Sequence, residues 1–161
     1  MFIRTAGAIL LVISGGLWGS YRAAAYKRRL TLCDDFLSVL MRTNILIRYN
    51  CCDVSEIMRE LKQLSVIFGN VPDVSEAEDI RKSMCEAAEI SGAADEEKKL
   101  ILQFCSELGT SDTEGQLSML DSLKVLTDEL RGRRSEEYAK YGRLYRTAGL
   151  LFGLMAGITM I

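Results

Sequence analysis

Histidine is absent from the 161 residues, and proline occurs once, at Pro72. Losing histidine removes the commonest general base and both the Ser-His and Cys-His nucleophile pairs. No G-x-x-x-x-G-K-[ST], G-x-G-x-x-G or S-x-x-K run is present either, so no phosphate-cradling loop or serine-lysine centre is expected. The adjacent carboxylates Asp34-Asp35 and Glu136-Glu137 point to different faces of a helix, which suits solvation better than shared acid-base work. The chain reads as a non-enzyme that needs no cofactor. Five cysteines (Cys33, Cys51, Cys52, Cys85, Cys105) show no C-x-x-C spacing and find no histidine to complete a tetrahedral site, so free thiols are expected rather than a metal.

Charge is also missing from two places. Thr5 to Tyr21 and Thr147 to Ile161 carry none, and all 22 acidic residues lie between them. Leaving out Arg4, the middle holds 19 basic and 22 acidic residues, a balance that does not suggest a nucleic-acid partner. The apolar ends are flanked on their inner sides by Arg22, Lys27, Arg28 and Arg29 and by Lys140, Arg143 and Arg146. By the positive-inside rule, a two-pass protein with both termini outside and a cytoplasmic middle is expected. A signal peptide ending at the A-x-A of Ala23 and Ala25 is the rival reading. It fits poorly, since only Arg4 charges the n-region and Lys27-Arg28-Arg29 would have to cross the membrane.

Near-absence of proline, with abundant leucine, alanine, glutamate, lysine and arginine, predicts an all-α chain. Breaks fall at Asn50 to Asp53, Gly69 to Asp73, Ser91 to Ala94 and Gly109 to Ser111, giving an antiparallel bundle of about five helices. The first and last are long and continuous with terminal transmembrane segments. The domains expected are 1–26 (transmembrane helix), 27–146 (cytoplasmic helical bundle) and 147–161 (transmembrane helix).

The first helix, from about Thr5 to Tyr49, has an inward stripe of Cys33, Phe36, Leu37, Leu40, Asn44 and Ile47. The second opens on a capping box, Asp53 with Glu56, and buries Val54, Ile57, Leu61 and Leu64 before Gly69. The third (about Val74 to Ile90) has Ile80, Met84, Ala87 and Ala88 to bury. The fourth (about Asp95 to Leu108) presents Leu100, Ile101, Phe104, Cys105 and Leu108 and is closed by Gly109. The fifth opens on Ser111 with Glu114. Leu117, Leu120, Leu123, Leu126, Leu130, Tyr138, Tyr141 and Tyr145 line one of its faces, and from Asp112 to Arg146 it spans roughly 50 Å at about 1.5 Å per residue.

The 17-residue N-terminal stretch is adequate to cross about 30 Å of hydrocarbon with snorkelling flanks, whereas the 15-residue C-terminal one is marginal. Gly15 and Gly19 in the first, and Gly149, Gly153 and Gly157 in the second, recur at four-residue steps that allow close backbone approach in lipid. The contact lies between the two ends of one chain or between protomers of a homo-oligomer. The cluster Arg131, Arg133 and Arg134 reads either as a solvated helix face or as a docking patch for an acidic partner surface.

Leu108-Gly109, Asp112, Gln116, Leu120, Leu130 and the run Tyr145-Arg146-Thr147-Ala148-Gly149 with Gly153 resemble the C-terminal half of the stage III sporulation protein AB family. Trp18-Gly19, Arg29-Leu30 and Ile47-Arg48-Tyr49 agree more loosely with its N-terminal half. Leu46 and the Cys52-Asp53-Val54 run depart from the family's glutamate and its Thr-Pro-Leu helix start; Asp53 can still serve as the cap. The resemblance implies a platform, similar to type II secretion inner-membrane platform proteins, in a channel complex joining mother cell and forespore. It implies the stage III sporulation protein AA ATPase and other channel components as partners, and a mother-cell location for the bundle. A small oligomeric pore lined by the glycine-spaced helices is the alternative, weakened because only Ser14, Ser20 and Thr159 would line it.

Overall fold

The computed structural model describes residues 2–50, 53–71 and 77–160. Every regular element among them is helical. Helix α1 is Phe2–Ile45 and runs into one π-helical turn, Leu46–Asn50; α2 is Val54–Leu64, α3 Ala77–Ile90, α4 Asp95–Glu107 and α5 Thr113–Glu137. A second π-helical turn, Tyr138–Gly142, joins α5 without a break to α6, Arg143–Met160. The continuous first and last helices are thus as the sequence predicts. Among the described residues no helix is long and apolar enough to cross a membrane, so the fold does not itself carry the two expected terminal spans.

The chain divides into two compact units, one of Met1–Leu30 with Arg133–Ile161 and one of Thr31–Gly132. The larger is a bundle around Phe104, which is fully buried on α4. Its ring meets Phe36 of α1 edge-on at 5.8 Å and lies 6.2 Å from Phe68 in the turn after α2. Such aromatic pairs add to the area they bury. Leu40, Ile57, Leu61, Met84, Ile101, Leu120 and Leu123 complete the core.

The expected core faces hold with particular exceptions. Leu37 and Asn44 are only half-buried, while Val39 and Thr43 are buried, the Thr43 hydroxyl donating to the Val39 carbonyl at 2.9 Å. Leu64 and Leu126 are exposed, and Met58 is buried on α2 along with the expected Val54, Ile57 and Leu61. Helix α2 stops at Leu64 rather than near Gly69 because Asp35 of α1 captures the chain there. Its carboxylate accepts the Ser65 hydroxyl at 2.7 Å and the backbone N–H groups of Val66 and Ile67 at 3.3 Å each.

Both capping boxes are replaced. Asp53 stands at the N-cap of α2 with no side-chain bond to the helix backbone and instead accepts from the Ser55 hydroxyl at 3.3 Å. At α5 the cap is Asp112, whose Oδ1 accepts the Gly115 N–H at 3.1 Å. Ser111 sits one residue too early for that role. Gly92 and Gly109 occupy the left-handed region at φ 71° and 74° and end α3 and α4 as expected of helix-terminating glycines.

Candidate functional site

Three features stand out: a glycine seam in the smaller unit, a corner built by the motif residues in the larger, and the arginines of α5.

The seam pairs the start of α1 with α6 in antiparallel register. A Cβ added at Gly15 would stand 2.6 Å from the Gly149 carbonyl oxygen and 3.1 Å from the Gly153 Cα. One added at Gly149 would stand 2.5 Å from the Gly15 carbonyl oxygen. At Gly19 it would run into the Tyr145 carbonyl and lie 3.3 Å from the Gly149 Cα. The four glycines are therefore the contact itself, with main chain against main chain. The surroundings of Gly157 lie outside the described residues. Next along the seam, Tyr26 stacks on Tyr141 at 5.6 Å and on Tyr145 at 5.9 Å, and the Arg22 guanidinium lies over the Trp18 ring at 5.5 Å. Away from the seam, Leu10, Ile13, Leu17, Trp18, Leu151, Phe152, Met155 and Ile158 are all more than half exposed.

The corner is built from Leu108, Gly109, Asp112 and Gln116. Leu108 anchors it, being fully buried at the end of α4. Gly109 then turns the chain through a positive φ that also presses it against Val54, whose Cγ2 would lie 2.5 Å from an added Cβ. Gln116, buried, ties both sides of the turn. Its Oε1 accepts the Gly109 N–H at 3.1 Å, and its Nε2 donates to the Glu107 carbonyl at 2.9 Å and to the Ser111 hydroxyl at 3.1 Å. Beside this corner opens a groove of about 230 Å³, walled by Ile47, Val54, Ile57 and Leu108 with Asp53 and Thr113 at its polar edge. The first turns of the two helices that begin here add Glu56 and Glu114.

The three arginines do not form one open patch. Arg131 is ion-paired with Asp34 of α1, which holds its guanidinium more firmly protonated than usual, chiefly through their hydrogen bond. Arg134 is buried and grips Glu137 through Nη1 at 3.0 and 3.1 Å. Arg133 is exposed. One or two residues from the others on the helix, Arg133 falls on a different face from Arg131 and Arg134.

Sequence reasoning missed Asp35 as the residue that closes α2, and nothing in the sequence signals a contact across 30 residues. It also missed the tyrosine stack, although five tyrosines flanking two apolar runs were a readable sign of it. Cys33, Cys85 and Cys105 are thiols rather than disulfides, and Cys51 and Cys52 lie outside the described residues. Burial pushes the Cys105 thiol far above its ordinary range, and that of Cys85 up as well. Among the described residues no group of three or more cysteine or carboxylate side chains is placed to hold a metal.

The charge is divided between the units. The smaller holds ten basic and two acidic residues and the larger ten basic and twenty acidic, net charges of +8 and −10 behind an overall −2. No curated protein and no solved structure matches the chain. A family model described as stage III sporulation protein AB matches residues 4–161. The chain belongs to that family, and its role is in sporulation.

Proposed function

Proceeding from membership of the stage III sporulation protein AB family, we propose that the chain is a non-catalytic platform, fixed in the mother-cell membrane, that docks the family's companion secretion-type ATPase. The observation that carries the membrane placement is the glycine seam together with what surrounds it. Two helices in backbone contact leave their large apolar side chains pointing outward, and in water an apolar surface of that extent is an unsatisfied interface. In hydrocarbon it is matched on all sides, and small-residue packing becomes the main way two helices can associate. Both ends then sit in one bilayer, with the basic flanks on the cytoplasmic side.

Docking is assigned to the larger unit, and within it to the groove beside Gly109 and Gln116. A platform must present a fixed surface to a moving partner, and Gln116 braces this corner with three hydrogen bonds. Apolar walls with Asp53 at the rim, and Glu56 and Glu114 in the first turns of the adjoining helices, suit a basic side chain whose aliphatic stem enters the groove. The predominance of acidic residues in this unit agrees with a basic partner face. The arginine trio is the weaker docking candidate, because its members are already engaged inside the chain, Arg131 with Asp34 and Arg134 with Glu137 among them.

The test is capture of the companion ATPase by the full chain in detergent. Wild type is expected to retain it, Asp53→Lys with Glu114→Lys to release it, and Arg133→Glu to leave capture unchanged. Retention by the double lysine variant, with loss in Arg133→Glu, would move the docking face to the arginines. Absence of capture by the wild type, coupled with ion conductance in liposomes, would favour a pore over a platform.

A further inference from the structure

We infer that the smaller unit carries a binding collar for anionic phospholipid headgroups, formed by Arg22, Lys27, Arg28 and Arg29 on α1 and Lys140, Arg143 and Arg146 on the facing helical run. The inference rests on the membrane placement proposed above and goes beyond it by naming the lipid class. The tyrosine stack sets the level: with Tyr26 on Tyr141 and Tyr145, residues 22–29 lie beside residues 138–146. All seven basic side chains are exposed. No acidic residue occurs in 1–30 or 138–161, and the unit's two carboxylates, Glu136 and Glu137, lie before the second run; Glu137 is already held by Arg134.

Seven like charges around two helices in backbone contact repel one another, and a layer of anionic headgroups relieves that repulsion. Toward the apolar side the collar borders the exposed leucines and phenylalanine of the seam unit, so it sits where the phosphates of a bilayer would lie. Aromatic side chains mark the same level. Trp18 lies under Arg22, Tyr141 under Lys140 at 5.4 Å, and Arg146 Nη2 donates to the Tyr138 hydroxyl oxygen at 3.5 Å. Tryptophan and tyrosine favour that depth because one end of each ring is apolar and the other wet. Clusters of four to eight Lys or Arg beside a membrane helix attract anionic lipid by roughly one tenfold step or less per residue, screened within a Debye length.

Trp18 is the single tryptophan of the chain, so its fluorescence reports on this collar alone. The full chain is reconstituted into phosphatidylcholine–phosphatidylglycerol vesicles in which either lipid, at equal mole fraction, carries brominated acyl chains that quench tryptophan on contact. Brominated phosphatidylglycerol is expected to quench as if enriched about tenfold around Trp18, and the enrichment should fall toward one at about 1 M salt, where the Debye length is about 3 Å. Inorganic phosphate at matched ionic strength should not reduce it. Arg28→Gln with Arg29→Gln and Arg143→Gln should bring the ratio toward one, while Arg81→Gln with Lys82→Gln on α3 should leave it. Equal quenching by the two lipids, in vesicles that do carry the protein on flotation, overturns the collar and leaves the membrane placement standing. A chain that fails to float with either composition overturns the placement itself.

Discussion

Adding one methyl group at the seam tests the close approach of the two helical ends most simply. In Gly15→Ala the new Cβ would lie 2.6 Å from the Gly149 carbonyl oxygen and 3.1 Å from the Gly153 Cα. Carbon contacts at rest are about 3.5–4.0 Å, so the helices must part by several tenths of an ångström or more along a stretch where each touches the other with main chain. Overpacking of this kind costs about 1–3 kcal/mol, and alanine's better helix propensity returns about 0.8–1.0 kcal/mol. A net loss of about 0–2 kcal/mol is expected, or up to about 8 °C in midpoint at roughly 2–4 °C per kcal/mol. Gly149→Ala should behave alike, because its Cβ meets the Gly15 carbonyl oxygen at 2.5 Å. The decisive control is Gly16→Ala, one residue along the same helix, where an added Cβ meets nothing within 4 Å. It should gain about 0.8–1.0 kcal/mol from propensity alone. Thermal unfolding of the full chain in one detergent, followed by circular dichroism, reads all three. If Gly15→Ala and Gly149→Ala match Gly16→Ala, the two helices do not touch at these glycines and the reasoning fails.

Gln116→Ala strands the Gly109 N–H, the Glu107 carbonyl and the Ser111 hydroxyl, a cost of about 1–3 kcal/mol by chemical denaturation, with Gln116→Glu recovering only the acceptor at Gly109. Gly109→Ala combines a left-handed backbone with a clash on Val54 and should lose about 2–4 kcal/mol; pairing it with Val54→Ala relieves the clash but not the backbone part. Phe104→Ala should cost about 3–5 kcal/mol and unfold the larger unit at physiological temperature, as seen by near-ultraviolet dichroism. The Cys105 thiol holds its proton more tightly folded than unfolded, where its ordinary value is 9.0. Stability from that group is therefore intact below about pH 9 and declines above it by up to about 1.4 kcal/mol per pH unit, a slope that Cys105→Ala should lose when denaturation is compared at pH 8 and pH 10.5.

The helices were legible because one proline and a few glycine clusters leave little else for this composition to do. Core residues spaced at three and four, such as Phe36, Leu40, Ile101, Phe104, Leu120 and Leu123, were legible for the same reason. What escaped was set by contacts between distant residues. Leu64 lost its inward place because Asp35 ends α2 early, and a carboxylate 30 residues away leaves no periodic trace. Helix α5 buries polar groups on its inner face, Gln116, Thr127 and Arg134, so its stripe read from leucines alone drifted onto exposed Leu126. The Thr127 hydroxyl is accommodated by donating to the Leu123 carbonyl at 2.7 Å, a local bond that hides a polar residue in an apolar face. Gly15, Gly19, Gly149 and Gly153 were identified by spacing, whereas their partners were not, since four-residue steps do not specify which helix answers. In the Gly109–Gln116 corner, Gly109 was legible as the end of α4, whereas Asp112 and Gln116 came from resemblance alone.

The placement of the bundle relative to the membrane underlies everything proposed for this chain, and a single exposed thiol can read it. The native thiols serve poorly, since Cys33 and Cys105 are buried. Glu114→Cys puts a thiol at an exposed site in the first turn of α5. A membrane-impermeant maleimide is applied to intact cells and to cells with opened membranes, and the peptide containing residue 114 is examined by mass. Modification only after opening, with the protein remaining in the membrane fraction, is the predicted result. Modification in intact cells, or a protein recovered wholly outside the membrane fraction, would contradict the account.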